Sequence, residues 1–457
     1  MLRSALLILS GSAATSLLLF GRNLAVAALI PVEDYGIAAT FALAMAAVEM
    51  ASTLGLQQQI VQAKDGEDPK LQDALQGFQV FRGIVAAVVL VAVAHPLAAF
   101  LRIAEVAWAY QVLALVPVMT ALQHFDIHRL NRSGHYLPMV ATGAVPALAA
   151  LLIVWPLAHW LGDWRVMLIA ILVQHVGAAS LSHLVAQRRY RLSVDLQIWR
   201  RSFVFGWPLL VNAMILFAVF QGDKLLVGRL LGMEVLGVFA MAVTLTLTPS
   251  FVLDKTVQTT FLPKLSAAQG ADIGVLVRGA ILWAVTLGAL LAAGGVLVAP
   301  MLAPFLANSG YAALPLLIGP LAVMQGLRIC KSGTGVVALS QGLTSNAAIA
   351  NGPRLLALVV GWAVVSNGGS LLALIWIGCV AEACGFALSM TLLRRRASVP
   401  FAVPLASVAL ASIAFVAAVS ATALPQVWGI GAGVSLAAAI GLALRAVRHG
   451  FLPTKPT

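Results

Sequence analysis

Seven ionisable side chains fall inside otherwise apolar runs: Arg22, Glu49, Arg82, Asp223, Arg278, Arg354 and Glu382. A charge in a bilayer core is costly, so each one points to a ligand, an ion path or a partner. Four are arginines, and Lys224, Arg229, Arg328 and Lys331 lie close to the ends of apolar runs. A guanidinium presents a planar fork that holds two phosphate oxygens at once. The chemistry within reach is the binding of a diphosphate-like anion. Its cavity residues are Arg22, Asn23, Arg82, Lys224, Arg278 and Arg354. Glu49, Asp223 and Glu382 are the candidates for coupling or gating. Arg22 and Asp223 carry opposite signs, so they can pair in one conformation and part in another. Structural alternatives stand beside these roles. Arg82 and Arg278 lie near the starts of their runs and can snorkel to the interface. Lys224 and Arg229 can be loop residues, Arg328 and Lys331 topological signals, and Glu382 a structural ion-pair partner.

The elements that must position these residues are membrane-spanning helices. The chain has 457 residues, 61% of them hydrophobic and only 10% charged, against about 25% charged in soluble domains. Apolar runs of about 20 residues, enough to cross about 30 Å of hydrocarbon, recur throughout. The short alternating segments of a membrane barrel are absent. The pattern predicts an all-α polytopic membrane protein with 14 spans, from residues 4–30 to 427–448. Span ten (311–331) is the least regular, and the run RICKSGTGVVALSQGLTSN that follows it reads as helix or loop. With both termini in the cytoplasm, 20 Lys and Arg fall in inside segments and four in outside loops. That bias fits the positive-inside rule and an even span number. The net charge of +12 is thus read as topology rather than as affinity for nucleic acid. The stretch after Arg3 mimics a signal peptide, but its internal copy argues that it stays.

That copy is visible without gaps. Residues 21–39 align on 222–240 with seven identities, among them Gly21/Gly222, Glu33/Glu234 and Gly36/Gly237. A second echo joins the FRG at Phe81–Gly83 to the VRG at Val277–Gly279. The shift is six spans, so the copies run in the same direction, as in parallel repeats related by an axis along the membrane normal. The organisation predicted is a first lobe at 1–186, a basic linker at 187–202, a second lobe at 203–396, and a terminal helix pair with tail at 397–457.

The segment GRNLAVAALIPVEDYG, its copy GDKLLVGRLLGMEVLGVFA, and FLPKLSAAQG after span eight resemble the polysaccharide-transporter branch of the exporter superfamily. That superfamily also holds multidrug extruders, lipid II flippases and lipid-linked oligosaccharide flippases. The resemblance covers essentially the whole chain. It implies a V-shaped carrier of two pseudo-symmetric six-helix lobes in the bacterial cytoplasmic membrane. Such a carrier moves a polyprenyl-diphosphate-linked glycan, an O-antigen or exopolysaccharide repeat unit, from the inner to the outer leaflet by alternating access. The extra final pair resembles the lipid II flippases more than the twelve-span oligosaccharide flippases. The partners implied are the glycolipid, membrane lipid and the polysaccharide polymerase machinery.

Other chemistry is weak in this sequence. The cysteines Cys330, Cys379 and Cys384 are odd in number and lack metal spacing, so packing is expected of them. His124 and His128 stand four apart beside Asp126. Such a pair can bind metal, but without a further ligand a wet loop is expected and no metal. No G-x-x-x-x-G-K-[ST] occurs, and the GTG at 333–335 lacks its context, so no nucleotide or other cofactor is expected. An H+ or Na+ gradient, the membrane potential or downstream consumption must supply the energy. The run QRRYRLSVDLQIWRRS is expected to lie on the inner leaflet. A multidrug exporter would favour acidic cavity residues. A glycan polymerase or ligase would need a larger outer loop than any here, so a non-enzymatic carrier is the reading.

Overall fold

The computed structural model describes residues 2–51, 56–63, 65–268, 272–397 and 404–448. Among them the secondary structure is helical. In chain order the helices begin α1 (Leu2–Leu29), α2 (Val32–Ala51), α3 (Leu56–Gln62), α4 (Pro69–Phe100), α5 (Ala107–Leu113) and α6 (Leu115–Leu122). They continue with α7 (Asp126–Arg132), α8 (Leu137–Leu152), α9 (Val154–Leu161), α10 (Arg165–Val185), α11 (Leu196–Leu231) and α12 (Met233–Ala267). The last six are α13 (Asp272–Leu306), α14 (Leu314–Ser340), α15 (Ser345–Ser366), α16 (Leu371–Arg396), α17 (Leu405–Ala423) and α18 (Trp428–Arg448). Where the sequence predicts 14 spans, 12 helical stretches among the described residues are long and apolar enough to cross a membrane. In α1 the apolar described stretch is shorter, Ala13–Leu29. Exposed Val88, Leu152, Leu356 and Val359 give these helices the apolar outer faces that lipid requires.

Several helices outrun the apolar windows because polar residues cap them. The Asp68 side chain accepts from the Lys70 amide ahead of Pro69, so α4 starts eight residues before its predicted span. Asp195 accepts from the amides of Gln197 and Ile198 and starts α11. Both side chains satisfy amides that no helical carbonyl reaches. Since α11 runs to Leu231, Asp223, Lys224 and Arg229 are helix residues rather than loop residues. The polar run after span ten is helix through Ser340, the end of α14, and turns over 341–344 before α15.

The chain divides into two compact units, residues 1–237 and 238–457. In the first, α8 packs on α1 and α10, and α6 on α4 and α10. In the second, α13 packs along α14, α16 on α14 and α15, and the terminal pair α17 and α18 on α13. A core of buried residues that includes Val257, Ile281, Val337, Ala414 and Leu442 joins that terminal pair to α12, α13 and α14.

The duplicated segments meet inside the first unit. A β-carbon at Gly36 would collide with the Met233 carbonyl, and one at Gly237 with the Val32 carbonyl. Val32 and Met233 are themselves equivalent in the repeat, as are Gly36 and Gly237. The contact is therefore reciprocal: each copy uses its glycine to admit the other's backbone. The copies break the preceding helix by different means. Pro31 removes an amide in one, and Gly232 takes the left-handed φ of 92° in the other, which glycine adopts without the cost of a β-carbon.

The linker is held to α4 rather than lying free. The Ser193 amide donates to the Asp73 carbonyl at 3.1 Å, and Trp199 Nε1 donates to the Ala74 carbonyl at 3.0 Å. The Trp199 ring stacks on Phe81 with centroids 5.4 Å apart.

Candidate functional site

Among the described residues, each unit holds a buried polar group built around an ionisable side chain on its long helices. They differ in how their charge is balanced.

In the first unit, Arg22 sits seven residues before the end of α1 and is 7% exposed. Its NH1 donates to Gln174 Oε1 on α10 at 2.6 Å, and its NH2 to Asn23 Oδ1 at 3.3 Å. Its Nε is buried without a hydrogen-bond partner. No carboxylate among the described residues pairs with it. An arginine in a membrane helix costs up to about 2.5–3.5 kcal/mol to insert, the value at the helix centre. A hydrogen bond to a charged group returns about 1.5–3 kcal/mol. The amide partners therefore offset the cost at best, and among the described residues no carboxylate balances the positive charge. Beside Gln174, His175 shares a hydrogen bond with Thr120 of α6, Nδ1 to Oγ1 at 3.2 Å. Gln174 and His175 are site residues that the sequence analysis missed, because neither is charged and both lie within an apolar run.

In the second unit, three cations converge on one carboxylate. Glu382 of α16 is fully buried. Arg328 of α14 donates to its Oε1 from Nε at 2.9 Å and from NH2 at 2.8 Å. Lys331 donates to its Oε2 at 2.8 Å. Arg354 of α15, 2% exposed, brings its Nε within 3.9 Å of Oε1. Gln325 and Asn351 accept from Arg328 and Lys331 at 2.9 and 2.8 Å. Glycine makes the room: a β-carbon at Gly378 would press on the Arg354 guanidinium and on Met324. On α12, Asp254 accepts from Gln258 at 2.9 Å and lies within electrostatic range of Arg328. Arg328 and Lys331 thus lie midway along a helix rather than in a loop. Polar residues at Gln325, Arg328 and Lys331, and again at Asn351 and Arg354, recur every third position. That spacing lines one helix face and is the signal that could have found them.

The other predicted residues are helical and partly exposed. Arg82 lies 13 residues into α4, about 20 Å along its axis, well beyond its capped start. Arg278 is six residues into α13, and Asp223 and Lys224 are adjacent on α11. Glu49 lies outside the residues whose side chains the structure describes.

Between the spans, His124, Asp126 and His128 are buried, not the wet loop expected of them. The Asp126 carboxylate accepts from Arg129 Nε at 2.6 Å and from the Gln187 and Arg188 amides at 2.8 and 3.2 Å. Burial raises its pKa, but these donors outweigh burial and hold it below the usual carboxylate range. Burial alone brings His128 down to about 4. No cluster of three or more metal-ligating side chains occurs among the described residues. Asp126 ties the linker to α7, and Glu67 adds ion pairs to Arg129 and Arg188 at 3.6 and 3.7 Å.

Residues 25–275 match the family model described as polysaccharide biosynthesis protein. No curated protein sequence matches the chain. Solved structures share its fold at low identity. The lipid II flippase MurJ in an inward closed conformation is 12% identical with a TM-score of 0.73, covering 97% of this chain and 99% of that one. An inward-facing multidrug resistance MATE family transporter of the MOP superfamily is 14% identical with a TM-score of 0.63, covering 84% and 94%. A eukaryotic MATE transporter is 16% identical with a TM-score of 0.54, covering 87% and 96%.

Proposed function

Because the chain belongs to the polysaccharide biosynthesis protein family, we propose that it is a carrier that flips a polyprenyl-diphosphate-linked oligosaccharide from the inner to the outer leaflet by alternating access. The observation that carries this reading is Arg22, a buried guanidinium in the apolar part of α1 whose partners among the described residues are neutral. Such a charge awaits an anion, and a diphosphate supplies one. Asn23 and Gln174 hold the guanidinium in place. Arg82 and Lys224 are further cations on helices of the same unit, and the lipid tail stays among the apolar outer faces.

The fold shared with a lipid II flippase and with multidrug transporters supports a carrier rather than an enzyme. Lipid II export is the second reading, since it too presents a diphosphate. Export of organic cations fits less well, because a buried arginine held by neutral amides repels them. The bacterial cytoplasmic membrane, with both termini inside, is the setting proposed. Membrane potential, negative inside, would push an anionic headgroup outward by about 2.3 kcal/mol per charge per 100 mV.

Proteoliposomes loaded with a fluorescent polyprenyl-diphosphate oligosaccharide, with lipid II or with an organic cation separate the readings. The proposal expects the oligosaccharide lipid to cross fastest. Cation export without translocation of either glycolipid would overturn it.

A further inference from the structure

The turn between α6 and α7 buries a histidine that works as an acceptor. The Asp126 amide donates to His124 Nδ1 at 3.1 Å. A neutral imidazole has one donor and one acceptor nitrogen, so its proton sits on Nε2. That nitrogen is buried with no hydrogen-bond partner among the described residues. The ring stands edge-on to two others. The centroids of His183 and Tyr190 are each 5.4 Å away, at interplanar angles of 75° and 70°. His183 and Tyr190 are themselves 4.8 Å apart. Exposed His183, near the end of α10, opens this triad to water, and Tyr190 belongs to the linker.

The backbone around His124 is fixed from two sides. Its amide donates to Ser182 Oγ on α10 at 2.8 Å, and the Phe125 amide donates to Gln76 Oε1 on α4 at 2.7 Å. Gln76 also donates to the Tyr190 hydroxyl at 3.3 Å. The ionisable groups that face the ring are Asp126 on α7, Asp73 on α4, His183 on α10, and Arg188 and Tyr190 in the linker. Burial outweighs the two acids and holds the His124 pKa below the usual histidine value. The neutral acceptor is therefore the resting form near pH 7.

We propose that His124 is an acid-operated latch on the linker. A proton from water on Nδ1 turns the acceptor into a donor, which then faces the donor amide of Asp126. With the backbone fixed, two reliefs remain, and both act on the linker. The ring swings out against Tyr190, or the imidazolium draws the Asp126 carboxylate off the Gln187 and Arg188 amides, which it holds at 2.8 and 3.2 Å. Only an N–H bond is made, and loss of the proton restores the latch. The device is independent of what the carrier transports.

The test is hydrogen exchange of the linker peptide 187–193, read by mass spectrometry on the full chain in nanodiscs and corrected for intrinsic exchange, between about pH 7.5 and 5.5. Wild type should lose about threefold or more of its linker protection as pH falls. H124N keeps an acceptor for the amide two residues on and takes no proton in this range, so its linker should stay equally protected throughout. H124Q is a second non-titrating variant with a different reach. H128F removes the other buried imidazole of this segment and should leave the acid-driven loss in place. Linker protection that does not change with pH in wild type would overturn the inference. So would a loss that persists in H124N or H124Q, or one that H128F abolishes, since another group would then drive it.

Discussion

Arg22 and Glu382 illustrate opposite ways of keeping a charge in a bilayer. Arg22 has amide partners and, among the described residues, no acid, so the protein gains little from its charge. Replacing it by glutamine keeps a hydrogen-bonding side chain and removes the insertion cost. R22Q should therefore melt in detergent at or above the wild-type temperature, as followed by a thermal-shift assay. A clear drop would mean that the charge serves packing. His128 gives a second expectation at this scale. Its folded pKa of about 4 lies below the unfolded value of about 6.5, so the unfolded chain binds the extra proton. Stability is intact above about pH 6.5 and falls as pH drops toward 4, by at most about 3 kcal/mol. Asp126, held below the usual carboxylate range, adds its own loss only at lower pH, as its folded carboxyl is protonated. Chemical denaturation between pH 7 and 4.5 should show the first loss, and H128F should flatten it.

Among the elements, the reciprocal contact of the α2 and α12 starts is the most demanding. A methyl at either Gly36 or Gly237 meets a backbone carbonyl, which cannot swing aside as a side chain can. G36A and G237A should each destabilise by about 1–3 kcal/mol or more. Their double variant should lose less than the sum, because both act on one contact. Full additivity in detergent melts would argue against a shared contact. The sequence made this pair legible as a repeat, but not as a meeting point, since alignment says nothing of which copies touch. Helix existence was legible from the apolar runs, whereas helix ends were not. Asp68, Asp195 and the polar second half of α14 extend helices past any hydropathy window. That limit is why Arg328 and Lys331 read as loop signals, although their three-residue spacing with Gln325 marked a helix face. The burial of Asp126 and His128 was hidden too. It depends on the linker at Gln187 and Arg188 folding back over α7, a contact distant in sequence.

At the scale of the whole molecule, a chain whose described residues are helical with 12 candidate spans, and which carries an excess of cations, is suited to moving an anion down an electrical gradient. For two headgroup charges, 100 mV contributes about 4.6 kcal/mol. A potassium diffusion potential, negative inside, should therefore speed outward translocation in proteoliposomes, and collapsing it should remove the gain. Rates indifferent to potential would point to another energy source. The central claim is that a diphosphate-linked glycolipid is carried by way of Arg22. Its most direct measurement is the initial rate at which fluorescent polyprenyl-diphosphate oligosaccharide reaches the opposite leaflet, compared between wild type and R22Q at equal reconstitution. The account predicts a loss of about tenfold or more in R22Q, the equivalent of losing one charge-assisted contact of about 1.4 kcal/mol or more. A wild-type rate in folded R22Q would contradict it.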